Sequence, residues 1–174
     1  MDLVTDEIPS ALGAIVIACR DGRLCGLDYD DGRDRMAVSL ARRYGAGRVR
    51  PARDPFGISG RIRAYLAGDL GAIDEIPAET GGTAFQQEVW AALRRIPAGT
   101  TITYGDLARE IGRPAAVRAA GAANGRNPIA IVVPCHRVVG KDGRLTGYAG
   151  GLSRKRWLLT HERAVSGGTG RIAD

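Results

Sequence analysis

The sequence predicts an α/β chain of two domains, in which a β-hairpin with two helices precedes a mostly helical half carrying a helix-turn-helix outline. Three observations predict it. Apolar runs at 14–19 and 24–29 flank Arg20-Asp21-Gly22-Arg23, and Asp-Gly is a hairpin signal because the favoured two-residue turn needs positive φ at both positions. Residues 68–82, rich in Gly, Asp, Glu and Pro, have no period and read as a connection between domains. Beyond them, apolar-periodic stretches alternate with short Gly and Pro breaks.

In chain order, the hairpin opens the fold. Residues 34–44 place Met36, Ala37, Leu40, Ala41 and Tyr44 at helical spacing, and residues 57–66 do the same with Ile58, Ile62, Tyr65 and Leu66. Thr83 and Gln86 form a capping-box pair before Phe85, Val89, Leu93 and Ile96, a helix that ends at Pro97. Residues 100–103 are β-favouring but short. A helix over 106–111 is broken by Gly112-Arg113-Pro114, and Pro114 suits the first turn of a further helix through 115–123. Helix, short Gly-containing turn, helix is the helix-turn-helix outline. Residues 129–133 read as a buried strand, 140–151 as a Gly-rich loop, and 152–163 as a helix with Trp157, Leu158 and Leu159. The resulting domains are 1–82 and 83–165, with 166–174 as a flexible tail.

At 174 residues and 18.4 kDa, with 44% hydrophobic and 25% charged residues, the chain is ordinary for a globular protein and wrong for a disordered or fibrous one. Its charge is uneven. Residues 1–83 carry 11 Lys/Arg against 13 Asp/Glu, whereas residues 84–174 carry 14 against 6, so the basic half points to a polyanion, of which nucleic acid is the commonest. No apolar run is long enough to span a bilayer and the first residues are acidic, which predicts a cytoplasmic protein. Three cysteines, Cys19, Cys25 and Cys135, are too few for a disulfide framework and are expected reduced. Cys19 and Cys25 have no Cys or His neighbours to complete a zinc site, so they read as buried hydrophobes and no metal is expected.

Pro134-Cys135-His136-Arg137-Val138 is the most informative stretch, since it sets a thiol between an apolar run and one of the two histidines. A thiol attacks as the thiolate, which a nearby imidazole and positive charge favour. Neighbours on an extended chain point to opposite sides, so Cys135 and His136 cooperate only through a bridging water or a turn after Cys135. Taken alone, a cysteine at a strand end is more often packing material.

This pentapeptide, preceded by Asn127-Pro128 and followed by Gly147-Tyr148-Ala149-Gly150-Gly151, resembles the active-site region of the O6-alkylguanine-DNA alkyltransferases, also called methylated-DNA–protein-cysteine methyltransferases. The match runs from about Phe85 to Glu162; the N-terminal half matches in length and pattern only. The resemblance implies a small N-terminal α/β domain with an antiparallel sheet and a C-terminal domain carrying the active-site cysteine. It implies direct repair of duplex DNA containing O6-alkylguanine by a monomer without cofactor, each molecule accepting one alkyl group, with O4-alkylthymine left open. Cys135 is then the acceptor, His136 the base acting through a water, Glu162 the carboxylate that holds the imidazole, and Asn127 the link from recognition helix to active site. Tyr104 meets the flipped guanine and stabilises it as it leaves. Backbone groups of Cys135, Val138 and Ala149 read the base edges, while Tyr148 and Asn124 line the pocket. Arg118 fills the space of the extruded nucleotide, on a helix whose Ala119, Ala120, Gly121 and Ala123 allow close approach to the minor groove, and Arg126 adds a DNA contact.

The sequence departs from some members at Asn124 and Ala130, where others carry a larger apolar residue or proline, and at Thr146, where others have glycine, which leaves the range of alkyl groups open. Two other readings stand beside the main one. A module that recognises alkylated DNA without repairing it resembles relatives that replace the cysteine, which is present here. A cysteine hydrolase needs a side-by-side Cys and His that adjacent residues supply poorly, and it leaves the helix-turn-helix unexplained.

Overall fold

The computed structural model describes residues 2–45 and 47–166, in two units. The first comprises the chain up to Gly81 together with Pro128–Val132; the second comprises Gly82–Asn127 and the chain from Val133 onward. Residues 167–174, most of the expected tail, lie outside the described residues. No helix among the described residues is long and apolar enough to cross a membrane.

In the first unit, strands β1 (Leu3–Ile8), β2 (Ile15–Arg20) and β3 (Arg23–Tyr29) are followed by α1 (Arg33–Tyr44), β4 (Val49–Pro51) and α2 (Ile58–Leu66). The sheet order is β3-β2-β1-β4. The expected β2–β3 hairpin is present, with Asp21 at φ 50° and Gly22 at φ 76°, the two left-handed residues its turn demands. It does not open the fold. β1 precedes it and pairs antiparallel with β2, although Thr5-Asp6-Glu7 hides the strand from hydrophobic periodicity. β4 pairs parallel with β1, so the sheet is mixed rather than antiparallel throughout, and its exposed three-residue strand ends at Pro51, which an edge tolerates.

Helix α1 seats Met36 and Leu40 on a sheet face built from Leu3, Val16, Ala18 and Cys25. Ala37 and Ala41, expected on that face, are exposed. Burial pushes the Cys19 thiol up to about 12 and raises Cys25 as well, which suits inert packing residues. Asp6 on β1 accepts from Ser59 Oγ at 2.6 Å and from the Asp54 amide at 3.0 Å, tying the start of α2 to the sheet.

Two segments expected elsewhere belong to this unit. Residues 68–82 are not a free connection: 70–73 form a 3₁₀ turn, and Ala78 bridges Leu24, with Leu24 N donating to Pro77 O at 2.7 Å and Glu79 N to Leu24 O at 2.8 Å. Arg43 Nη1 on α1 reaches Cys25 O at 2.7 Å, and Tyr44 Oη donates to Glu79 Oε1 at 2.6 Å. The expected strand at 129–133 is one bridge, Ile129 to Leu27, followed by a turn with Ile131 at φ 69°. Ile129 and Ile131 to Val133 are buried, but burial of an apolar run is common to strands and turns, and the pairing stops because the chain reverses.

In the second unit lie α3 (Ala84–Arg94), β5 (Ile102–Thr103), α4 (Tyr104–Glu110), α5 (Val117–Gly125), β6 (Val138–Val139) and α6 (Leu152–Ser166), with β5 and β6 paired in parallel. The capping box at Thr83 is closed both ways: Gln86 N donates to Thr83 Oγ1 at 3.2 Å and Thr83 N to Gln86 Oε1 at 2.9 Å. α3 ends three residues before Pro97. A second box, Thr103 with Asp106, starts α4 at Tyr104, two residues earlier than the periodicity indicates. Pro114 falls in the turn before α5 and not in its first turn, because Ala116 N is committed to Arg113 O at 2.8 Å and helical bonding begins beyond it. Trp90 Nε1 on α3 donates to Ala123 O at 2.9 Å, fastening α5 to α3, while Gly82 at φ 83° leaves room for the Trp90 ring where a Cβ would collide at 2.6 Å.

Replacing Thr103 by Ala removes the cap of α4 and is expected to destabilise the protein by about 1 kcal/mol. Urea unfolding should show a lower midpoint at unchanged slope.

Candidate active site

The thiol sits on a turn. Residues Cys135–Arg137 form one turn of 3₁₀ helix, closed by Arg137 N donating to Pro134 O at 3.0 Å, before the chain becomes extended at Val138. In such a turn successive side chains diverge by about a third of a revolution, so Cys135 and His136 leave the backbone on adjacent sides. This is the turn after Cys135 that cooperation of the two residues requires. All nine residues from Ile131 to Val139 are buried, with Cys135 6% exposed.

Behind the thiol stands a buried polar cluster. His136, Arg137 and Glu162 are exposed to 0%, 3% and 0%. His136 Nε2 lies 2.8 Å from Glu162 Oε1. A carboxylate only accepts, so Nε2 carries the hydrogen and Nδ1 presents its lone pair. Nδ1 is buried with no hydrogen-bond partner among the described residues. Arg137 holds the same carboxylate through Nη2 at 2.8 Å and Nε at 3.1 Å, and its Nη1 donates to Ile96 O at 2.6 Å. The Gly99 amide donates to Glu162 Oε2 at 3.2 Å.

Burial works to raise the Glu162 carboxyl, but hydrogen bonds and charge from His136 and Arg137 hold it far below the usual carboxylate range. Burial lowers His136 below its ordinary value despite the Glu162 hydrogen bond. At neutral pH the pair is therefore an ionised carboxylate and a neutral imidazole whose free nitrogen is basic, the state a proton acceptor needs.

Tyr104, first residue of α4, donates its hydroxyl to Thr146 O at 3.2 Å, and its ring meets α5 at Gly121, where a Cβ would sit 3.5 Å from Cδ1. The same Thr146 carbonyl accepts Lys155 Nζ at 2.7 Å, and Lys155 also reaches Val138 O at 2.6 Å. The Val138 side chain is fully buried, Tyr148 is half-buried and Ala149 is exposed.

Helix α5 joins this site at its C-terminal end. Asn127 Nδ2 donates to Val133 O at 2.7 Å, and Asn124 Nδ2 lies 3.5 Å from Cys135 O. Asn124 is buried and its Oδ1 has no partner among the described residues. On the outer side Arg118, Ala119, Ala122 and Arg126 are exposed and Gly121 is half-buried. Ala120 and Ala123, expected to contact DNA, are instead buried, because their three-residue spacing sets them on the inner face.

Two residues of the cluster escaped the sequence reading. Arg137 and Lys155 are charged, yet 3% and 0% exposed. The signal for Arg137 was its place in an otherwise apolar stretch, where a charge must find a partner. For Lys155, flanked by Arg154 and Arg156, the sequence offers none.

Residues 84–164 match the family model described as 6-O-methylguanine DNA methyltransferase, DNA binding domain. A methylated-DNA–protein-cysteine methyltransferase of Salmonella typhimurium is 51% identical over 164 residues, covering 92% of this chain and 95% of that protein. One from Mycolicibacterium paratuberculosis is 44% identical over 162 residues, covering 91% and 92%. Among solved structures, the Mycobacterium tuberculosis O6-methylguanine methyltransferase superposes with a TM-score of 0.75 at 38% identity, covering 93% of both chains. The crystal structure titled as the M. tuberculosis protein in complex with DNA gives 0.79 at 39% identity, covering 93% of this chain and 94% of that one. With about half of its residues shared with such relatives along nearly its whole length, the chain belongs to the methylated-DNA–protein-cysteine methyltransferase family.

Proposed function

We propose that the chain repairs DNA by direct reversal, transferring the alkyl group of O6-alkylguanine from a flipped-out nucleotide of duplex DNA irreversibly onto Cys135. The observation that carries this reading is the Cys135 turn backed by a neutral imidazole, whose Nε2 is tied to Glu162 and whose Nδ1 is unmatched. His136 Nδ1 takes the Cys135 proton through an intervening water. The sulfur then attacks the alkyl carbon in line; the S–C bond forms, the C–O6 bond breaks, and its electron pair stays on the guanine oxygen. A guanine anion leaves poorly, so the Tyr104 hydroxyl exchanges its bond to Thr146 O for one to the base. The proton held on His136 balances the guanine anion, and neutral guanine and a thioether remain.

A base inside a duplex hides its O6, so extrusion comes first. The small exposed residues Ala119 and Ala122 let α5 approach the groove, and Arg118 projects from them with no side-chain partner among the described residues. Asn127 and Asn124 carry that docking to the backbone at Val133 and Cys135. Cys19, Cys25 and Cys135 form no disulfide among the described residues, which fits the reducing conditions of the cytoplasm, where we place the reaction.

Mass spectrometry after incubation with methylated duplex DNA tests the reading. The expected result is a gain of one methyl group, located on Cys135. An unchanged mass would point to recognition without repair, and repeated turnover to hydrolysis; either overturns it.

Cys135→Ser is expected to abolish transfer with duplex affinity nearly intact, measured by titration of labelled DNA; joint loss of both would contradict the division of labour. Glu162→Gln should transfer more slowly, with a deficit that shrinks as pH rises, because the weaker base matters less once the thiol ionises unaided. The same variant leaves Arg137 buried without its counter-charge, on the order of 3 kcal/mol. Because the folded carboxyl is depressed, its stabilisation is present above the unfolded value of about 4.3 and is lost as pH falls below it, so variant and parent should converge in acid. Arg118→Ala should slow transfer from duplex DNA far more than from free O6-methylguanine, which needs no extrusion; equal slowing in single-turnover assays would leave Arg118 a structural residue.

A further inference from the structure

The chain has 25 cationic side chains, and only Lys141 and Lys155 among them are lysines. Lys141 is exposed in the Gly-rich loop, whereas Lys155, on α6, is fully buried. Its Nζ donates to Val138 O at 2.6 Å, to Thr146 O at 2.7 Å and, at 3.4 Å, to Gly147 O. Three donors converge with three carbonyls, an arrangement that fits an ammonium and that a planar guanidinium fork does not reproduce. One carbonyl lies beside the Cys135 turn, the other two at the start of the loop bearing Tyr148 and Ala149, and the Thr146 carbonyl also accepts Tyr104 Oη.

No carboxylate among the described residues pairs with this ammonium. The charged or titratable groups that interact with it are Cys135 and His136 through charge and Tyr104 through the shared Thr146 carbonyl, while Arg137 and Glu162 neutralise one another. Burial pulls Lys155 down to about 8, and the negative charge of Cys135 opposes the fall.

We propose that Lys155 is a positioning residue for alkyl transfer: its ammonium draws the Val138, Thr146 and Gly147 carbonyls to one point, fixing the wall of the base pocket, and it supplies the positive charge against which the Cys135 thiolate forms. The inference rests on Cys135 being the acceptor. Coupling between two charges is reciprocal, so what Lys155 does for the thiolate the thiolate does for Lys155. When the sulfur electron pair is consumed in the new S–C bond, the buried ammonium loses its opposite charge.

With two lysines, a chain labelled at lysine side chains gives two NMR signals, and the pH titration of each is followed before and after methylation of Cys135 by methylated duplex DNA. Lys155 is expected to titrate below the ordinary lysine range, and its midpoint to fall by about one pH unit once Cys135 is methylated. An unmoved midpoint on a fully methylated protein overturns the proposal; a protein that gains no methyl overturns the acceptor assignment beneath it. As an independent arm, Lys155→Met and Lys155→Arg, checked for native circular dichroism, should each transfer on the order of tenfold more slowly from duplex and from free base alike, with duplex affinity unchanged. Lys155→Met should also raise the pH at which iodoacetamide modifies Cys135. Transfer by Lys155→Arg at the parent rate would overturn the convergence argument. If the variants do not fold, the titration of the unsubstituted chain decides.

Discussion

The buried carboxylate of Glu162 is the contact on which the reactive end of the molecule depends. It comes from α6 and receives His136 and Arg137 from the thiol-bearing turn, along with the Gly99 amide from the loop after α3. Arg137 extends the tie to Ile96 O. A buried ion pair is poor evidence for stability, because desolvation consumes most of the Coulomb gain. What it secures is geometry: with the carboxylate held ionised by Arg137, the imidazole has one orientation and one tautomer. Two neutral residues of similar size would fill the space and leave the ring free to turn.

The same economy governs the other end of the turn. Val133 and Cys135 are reached by amides of Asn127, two residues past α5, and Asn124, in its last turn, and α5 is itself fastened to α3 by Trp90 Nε1 at Ala123 O. The helix meets its neighbours with alanine and glycine, so no long side chain cushions a shift. These two hydrogen bonds connect the end of the helix to the backbone on either side of Pro134. The unmatched Asn124 Oδ1 is the one polar atom of that joint left without a partner among the described residues, and it lies where the pocket was expected to be lined.

Features decided by neighbouring residues were legible in the sequence. Asp21-Gly22 specified its turn, Thr83 and Gln86 their capping box, and the helices of the second unit appeared within a few residues of their bounds. What depended on distant partners was not. β1 carries Thr5-Asp6-Glu7 because its exposed positions are served by α2 and β4, which no local pattern reveals. Residues 77–79 resemble a loop in composition, yet they bridge β3 because Leu24 still has backbone groups to pair, and 129–133, expected as a strand, meets β3 only at Leu27. In the site, Cys135, His136 and Glu162 were recognised through a resemblance, whereas Arg137 and Lys155 become visible only when burial is known, since any surface arginine or lysine has the same sequence appearance.

Such a site suits a single transfer. A thioether on Cys135 carries no leaving group that a neutral imidazole could expel, and the ionised carboxylate of Glu162 is already engaged by His136, Arg137 and the Gly99 amide. The acid-base pair is equipped to remove one proton from one thiol. Regeneration would need an attack on the methyl carbon of a sulfur whose residue is only 6% exposed. The burial that fixes His136 and confines Lys155 is therefore the same feature that commits the cysteine, while His136 and Arg137 hold Glu162 ionised within it.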